Sequence, residues 1–177
     1  MKLSVNGVEH EIRSSGLHSL LHVLREELSI TSAKAGCEQG GCGACTVLID
    51  GEPRRSCLTP VALTDGGSVT TVEGLPSDGE LTAVQKAFYA KYGAQCGFCT
   101  SGMILAATRL IAEHGSALDD EDIEEAMGGH LCRCTGYVKI LDAVKAAARG
   151  EQFDLEELQH GLARNGDTPV RTVEGQA

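Results

Sequence analysis

The chain contains eight cysteines, and they fall into two sets of four: Cys37, Cys42, Cys45 and Cys57, then Cys96, Cys99, Cys132 and Cys134. Four thiols drawn to one point tie distant segments together and leave the chain between them few routes. Two complete four-thiolate metal sites, with no thiol left over, therefore set the frame. The 177 residues suffice for two small domains, one per set. Each would have a thin core, because the chain has three Phe, three Tyr and no Trp. A metal that binds only the folded chain offsets that deficit.

The first set reads C-x4-C-x2-C and then one more Cys, the spacing by which plant-type ferredoxins hold a [2Fe–2S] cluster. From Gly36 to Cys45 the positions between ligands are mostly glycine or small, which lets backbone amides curl toward an anionic cluster. The second set reads C-x2-C, a long gap, then C-x-C. Cys96 and Cys99 fall where one helix should begin, and Cys132 and Cys134 just before another. Two positive helix ends would then converge on one anionic centre. Zinc is the alternative for four thiolates, although C-x4-C-x2-C and C-x-C are unusual in zinc ribbons, and the spacing favours iron–sulfur. Disulfides fit the even count but belong to short secreted scaffolds. A thioredoxin-like role for Cys96-Gly97-Phe98-Cys99 lacks a parallel βαβ frame. Thr46 and Thr100 stand where the His of a c-type haem motif would follow, and no Cys-x-His pair offers Rieske ligation.

The formal net charge is −10, with 6 basic and 11 acidic residues in the first 80, which argues against nucleic acid, whose phosphates require a basic face. Met1-Lys2 leads into an alternating pattern with no apolar leader, and no stretch approaches the ~20 apolar residues of a membrane span. A soluble, cytoplasmic protein is expected.

Lys2 to Val5 and Val8 to Ile12 alternate around Asn6-Gly7, a type I′ hairpin signal. Leu17, Leu20, Leu21, Leu24 and Leu28 give a helical stripe over 17–28. Thr46 to Ile49 and Glu52 to Arg55 form a second hairpin at Asp50-Gly51, and Ser68 to Val72 a last strand. From Leu81 the period becomes helical. Leu81, Val84 and Phe88 share a face, Gly97 to Glu113 is mostly apolar and ends at His114-Gly115, and Asp119 to Met127 is a short acidic helix. Gly136 to Arg149 carries Val138, Leu141, Val144 and Ala148 on one stripe. Gly74 to Gly79 is a turn-rich linker. A helical turn or two is expected at 154–160, within a polar tail that lacks a core and is either disordered or laid on a partner.

Other motifs carry little. His18 and His22 have helical metal-site spacing, but Ser19 stands where a Glu base would be. The acids from Asp119 to Glu125 lack the glycine of a calcium loop and suit a helix start. There is no P-loop, no G-x-G-x-x-G and no recognisable Ser-His-Asp arrangement.

Three stretches together, Gly36-Cys-Glu-Gln-Gly-Gly-Cys-Gly-Ala-Cys-Thr46, Gln95-Cys-Gly-Phe-Cys-Thr100 and Leu131-Cys-Arg-Cys-Thr-Gly-Tyr137, resemble the iron–sulfur subunit, or N-terminal portion, of the molybdenum hydroxylases of the xanthine oxidase family. The resemblance implies an α+β chain: an N-terminal plant-type ferredoxin-like β-grasp domain at 1–76, a C-terminal four-helix bundle domain at 77–150, and a tail at 151–177. Each domain would hold one [2Fe–2S] cluster, on Cys37, Cys42, Cys45 and Cys57 and on Cys96, Cys99, Cys132 and Cys134. The implied function is electron transfer from a molybdopterin centre in a large subunit, through both clusters, to FAD in a medium subunit. The implied assembly is a heterotrimer or a dimer of heterotrimers. By the same likeness Gln95 and Cys134 lie against the pterin, Gln95 through an amide hydrogen bond.

Two positions depart from the family pattern: Ser101 where Pro is usual, and His130 where Asn is usual. Ser is tolerated in a first helical turn. His130, two residues before Cys132, suggests a proton switch that raises the second cluster's potential in acid. The competing readings are a free-standing two-cluster carrier and a zinc-stabilised interaction module; only the relay subunit explains an added helical domain with a core-less tail.

Overall fold

The computed structural model describes residues 1–76 and 79–155. Residues 156–177, with most of the expected tail and its helical turn, lie outside the described residues. Strands β1 (Lys2–Val5) and β2 (Val8–Glu11) pair antiparallel, with Lys2 opposite Glu11 and Val5 opposite Val8. Asn6 (φ 52°) and Gly7 (φ 80°) supply the two left-handed residues that a type I′ turn requires. Strands β3 (Thr46–Ile49) and β4 (Glu52–Arg55) repeat the device over Asp50 and Gly51. Strand β5 (Ser68–Thr70) joins the hairpins, parallel to β1 and antiparallel to β3, giving the order β2-β1-β5-β3-β4.

The helix over this sheet is shorter than its leucine stripe. Helix α1 begins at Leu20, makes one α turn to His22 and widens over Val23–Glu27 into a π turn, with the Leu28 N–H on the Val23 carbonyl. Ser19 stops it N-terminally: its extended backbone places the hydroxyl on the His22 N–H at 3.2 Å. Before that cap, residues 16–20 hydrogen-bond to 59–62 instead, so Leu17 never joins the helix and is 88 % exposed. Leu20, Leu21, Val23 and Leu24 do face the sheet, closing a core with Leu3, Val5, Val47, Val61 and Val69. Strand β5 also ends early. The Asn6 side chain bonds both the N–H and the hydroxyl of Thr71, turning Val72–Gly74 out of the ladder into a 3-10 turn.

Four helices follow. Helix α2 (Ala83–Ala90) starts at a Thr82/Gln85 capping box, and α4 (Asp120–Gly128) at an Asp119/Asp122 box with its acids in the first turn, where they suit the dipole. Helix α3 spans Thr100–His114, beginning later than its apolar run because Gly97 is left-handed (φ 80°) and Cys99 is the cap. It stops at Gly115 (φ 58°). Helix α5 (Val138–Ala148) buries Ile140, Ala143, Val144 and Ala147 rather than a stripe through Val138, which is exposed in the first turn. Met103, Ala107, Ile123, Met127 and Phe88 complete this second core, and Val72 and Leu75 pack against it. The α+β class is as expected. Among the described residues no helix is long and apolar enough to cross a membrane.

Candidate metal centres

The first cysteine loop runs from the end of the π turn to β3, with left-handed backbone at Glu38, Gly40 and Gly43. That winding points the N–H groups of Gln39 and Cys42 at Cys37 Sγ, each at 3.4 Å. Those donors, with the Cys42 thiol, bring the Cys37 pKa down to about 7. Cys57, in the turn Ser56–Leu58 after β4, meets Cys45. Burial, then the Cys45 thiol, pushes Cys57 up to about 11. Ser56 locks this corner by donating its hydroxyl to the Cys45 carbonyl at 2.7 Å.

The second site joins two helix starts. Cys99 caps α3 and is 7 % exposed; burial, then the neighbouring Cys132, pushes its thiol up to about 12. Cys96 and Cys134 are exposed, with their sulfurs 3.5 Å apart. The Phe98 N–H, then Cys134, lowers Cys96, while Cys96 raises Cys134. The loop to α5 is pinned by Tyr137, itself left-handed (φ 68°) at the cap. Its hydroxyl accepts from the Cys132 N–H at 3.0 Å and donates to the His130 carbonyl at 2.9 Å.

All eight thiols are free, and they meet two by two: Cys37 with Cys42, Cys45 with Cys57, Cys96 with Cys134, and Cys99 with Cys132. Among the described residues no three His, Cys, Asp or Glu side chains gather on a single ion position. Four thiols per set, meeting in pairs, suit a two-iron cluster, which takes two ligands per iron. Burial favours the neutral thiol at Cys57 and Cys99, and positive metal charge beside them would offset that cost for the thiolates. Among the described residues Thr100 Oγ1, next to Cys99 in sequence, is buried without a partner, a donor suited to cluster sulfur. The residues present therefore fit [2Fe–2S] ligation at both sites. Gln95 is exposed next to Cys96, so the residues tied by resemblance to a pterin, Gln95 and Cys134, are both open to solvent.

The two sites are joined by a seam that local sequence patterns do not reveal. The Leu131 N–H donates to the Cys42 carbonyl at 2.9 Å, linking a ligand of the first set to the residue before Cys132. A Cβ on Gly36 would lie 2.9 Å from Cys42 Sγ and 3.2 Å from the Phe98 ring, so an aromatic from the second loop covers the first. Arg55 reaches across from β4 to the Gly129 carbonyl at 2.6 Å and to Thr46 Oγ1 and the Gly40 carbonyl on its own side. Ser101, unremarkable as a helix residue, donates to the Ser32 carbonyl at 2.6 Å, and Arg109 pairs with Glu52 at 2.8 Å.

His130 belongs to this seam. Its ring is 3 % exposed, with Nε2 3.1 Å from Thr46 Oγ1 and 3.4 Å from Arg55 Nη1. Burial, then the Arg55 charge, pushes its pKa down to about 4. Both causes disfavour the imidazolium, and Nε2 faces the first loop, so a proton on this ring would act on the seam as well as on the second thiol set.

Comparison with known proteins agrees with this geometry. A family profile described as "2Fe-2S iron-sulfur cluster binding domain" matches residues 3–71, and one described as "[2Fe-2S] binding domain" matches 71–145. The chain is 43 % identical to caffeine dehydrogenase subunit gamma of Pseudomonas sp. (strain CBB1), over 84 % of this chain and 90 % of that one. It is 46 % identical to the nicotine 6-hydroxylase small subunit of Paenarthrobacter nicotinovorans, over 80 % and 85 %. The crystal structure of quinoline 2-oxidoreductase from Pseudomonas putida 86 superposes with a TM-score of 0.79 at 43 % identity, covering 86 % of this chain and 97 % of that one. Two abutting cluster-binding halves, paired thiols in each, and relatives matched nearly end to end lead to one assignment: the chain belongs to the small iron–sulfur subunits of the molybdenum hydroxylases, the xanthine dehydrogenase family, and is an electron-transfer subunit of an oxidoreductase.

Proposed function

We propose that this chain relays electrons from a molybdopterin centre in a large subunit, through two [2Fe–2S] clusters, to FAD in a medium subunit, within a cytoplasmic heterotrimer or dimer of heterotrimers. Cys37, Cys42, Cys45 and Cys57 would hold one cluster and Cys96, Cys99, Cys132 and Cys134 the other, the second in a four-helix bundle domain following a ferredoxin-like β-grasp. When bound, each cluster takes up and releases one electron. The observation that carries the reading is the gathering of all eight thiols into two sites whose loops touch, the Leu131 N–H bonding the Cys42 carbonyl. The chain supplies the rest of the device: N–H donors on Cys37 and Cys96, buried anchors at Cys45 and Cys99, and a seam that fixes the spacing.

The exposure of Cys96, Cys134 and Gln95 supports the second site as the face turned to the pterin, with the Gln95 amide hydrogen-bonding it. Phe98, Leu131 and Val138 add exposed apolar surface from the same two loops and the start of α5. Substrate chemistry then belongs to the large subunit. The test is a visible absorption spectrum of the purified protein with iron and sulfide counted per chain, and identification of the chains that co-purify. Four irons and four sulfides per chain, with molybdopterin- and flavin-binding partners, is the expected result. A colourless zinc protein would refute the cluster reading, and a loaded chain that purifies alone would refute the relay.

A further inference from the structure

The bond between the Leu131 amide and the Cys42 carbonyl gives a direct covalent and hydrogen-bonded route between the two thiol sets, with only Leu131 between that bond and Cys132. Neither loop holds this contact unaided. Gly43 follows Cys42 with φ 76°, and a Cβ there would lie 2.7 Å from the Gly129 carbonyl and 2.9 Å from His130 Cα. The backbones are thus in direct apposition, and a small slide would separate them. What spans them is Arg55. One guanidinium nitrogen donates to the Gly129 carbonyl at 2.6 Å. The other donates to Thr46 Oγ1 and lies 3.4 Å from His130 Nε2. Thr46 in turn donates to the Gly43 carbonyl at 2.7 Å. The planar fork therefore reads both loops at once, and fork geometry leaves little freedom once two bonds are made.

We infer that Arg55, with Thr46 as its hub, is a positioning residue that fixes the Cys42–Leu131 contact and thereby sets the coupling between the two clusters; this rests on the cluster reading above. His130 serves the same end, since its Nε2 lies 3.1 Å from Thr46 Oγ1 and 3.4 Å from Arg55 Nη1.

The experiment uses the full chain, purified with the subunits that accompany it, as wild type, Arg55→Met and Thr46→Val. Arg55→Met keeps the stem and removes the fork; Thr46→Val keeps the shape and removes the hub. Two readouts are taken. The first is the mutual magnetic splitting of the two clusters' signals in the fully reduced protein. The second is deuterium exchange in the peptide spanning 128–133, which contains the Leu131 amide. With a charged hydrogen bond lost, protection at that peptide should fall about tenfold, iron content should hold, and the splitting should broaden or vanish. Thr46→Val should move both readouts the same way by less. Iron-replete Arg55→Met with wild-type splitting and protection overturns the inference. If Arg55→Met loses its clusters, Thr46→Val decides: unchanged splitting and protection there overturn the inference, and a shift in both upholds it. A wild-type protein without two cluster signals would overturn the cluster reading instead, a result that the exchange data cannot mimic.

Discussion

Three glycines in the cysteine loops allow backbone strain and steric crowding to be separated. Gly41 has nothing within 4 Å of an added Cβ and no left-handed φ. Gly97 is equally open but has φ 80°. Gly43 has φ 76° and would also place a Cβ 2.7 Å from both the Gly129 carbonyl and His130 Cδ2, of which the first is backbone and cannot swing away. Alanine at Gly41 should therefore cost almost nothing. At Gly97 the left-handed backbone alone costs about 1–2 kcal/mol. At Gly43 overpacking adds about 1–3 kcal/mol to the same strain, for a total near 4 kcal/mol. For a chain of this size each kcal/mol shifts the midpoint by roughly 2–4 °C. At a fixed scan rate, loss of the visible cluster absorption should move by less than a degree or two for Gly41→Ala, about 4 °C for Gly97→Ala and about 12 °C for Gly43→Ala. All three lie in ligand loops, so a general sensitivity of such loops would give similar shifts. Gly43→Ala melting no lower than Gly97→Ala would refute the steric argument and with it the close apposition of the halves.

Tyr137→Phe removes the acceptor for the Cys132 N–H and the donor to the His130 carbonyl, about 2 kcal/mol together, and should speed chelator-driven loss of the second cluster while sparing the first; equal rates for wild type and variant would count against it. Ser101→Ala deletes the hydroxyl bond to the Ser32 carbonyl across the seam and should lower stability by about 1 kcal/mol in denaturant titration; no change would show that bond to be idle. Glu27 accepts from the Ser14 hydroxyl and from the Arg13 and Ser14 N–H groups, in that order of effect, which lowers its pKa. The unfolded chain then binds the proton more readily, so this contribution is fully present above about pH 5 and is lost as pH falls through the lowered folded value. The stability gap between wild type and Glu27→Gln should be flat near neutrality and close in acid; a gap independent of pH would refute the assignment.

The features legible in sequence are those whose cause is local. Asn6-Gly7 and Asp50-Gly51 specify left-handed turns whatever surrounds them, and both hairpins form where those pairs stand. The Thr82/Gln85 and Asp119/Asp122 caps mark helix starts for the same reason. Cysteine spacing identified all eight thiols that the fold gathers. Leu17 misled because its stripe continues past Ser19, while the backbone there is claimed by pairing with residues near 60, which periodicity does not register. Arg55, Thr46 and Ser101 were invisible as seam residues because each acts on a partner 69 or more positions away or bridges to one. His130 stands near Cys132 in sequence, yet its ring packs against Thr46 and Arg55, distant neighbours that no local pattern reveals.

The two halves touch through the very loops that wrap the thiols, with Phe98 lying over Gly36 and Leu131 bonded to Cys42. Two of the thiols in these loops, Cys45 and Cys99, are buried. Neither loop can therefore shift without pressing on the other, and the border between the halves acts as a shared wall of both sites. A substitution on that wall should disturb the two centres together.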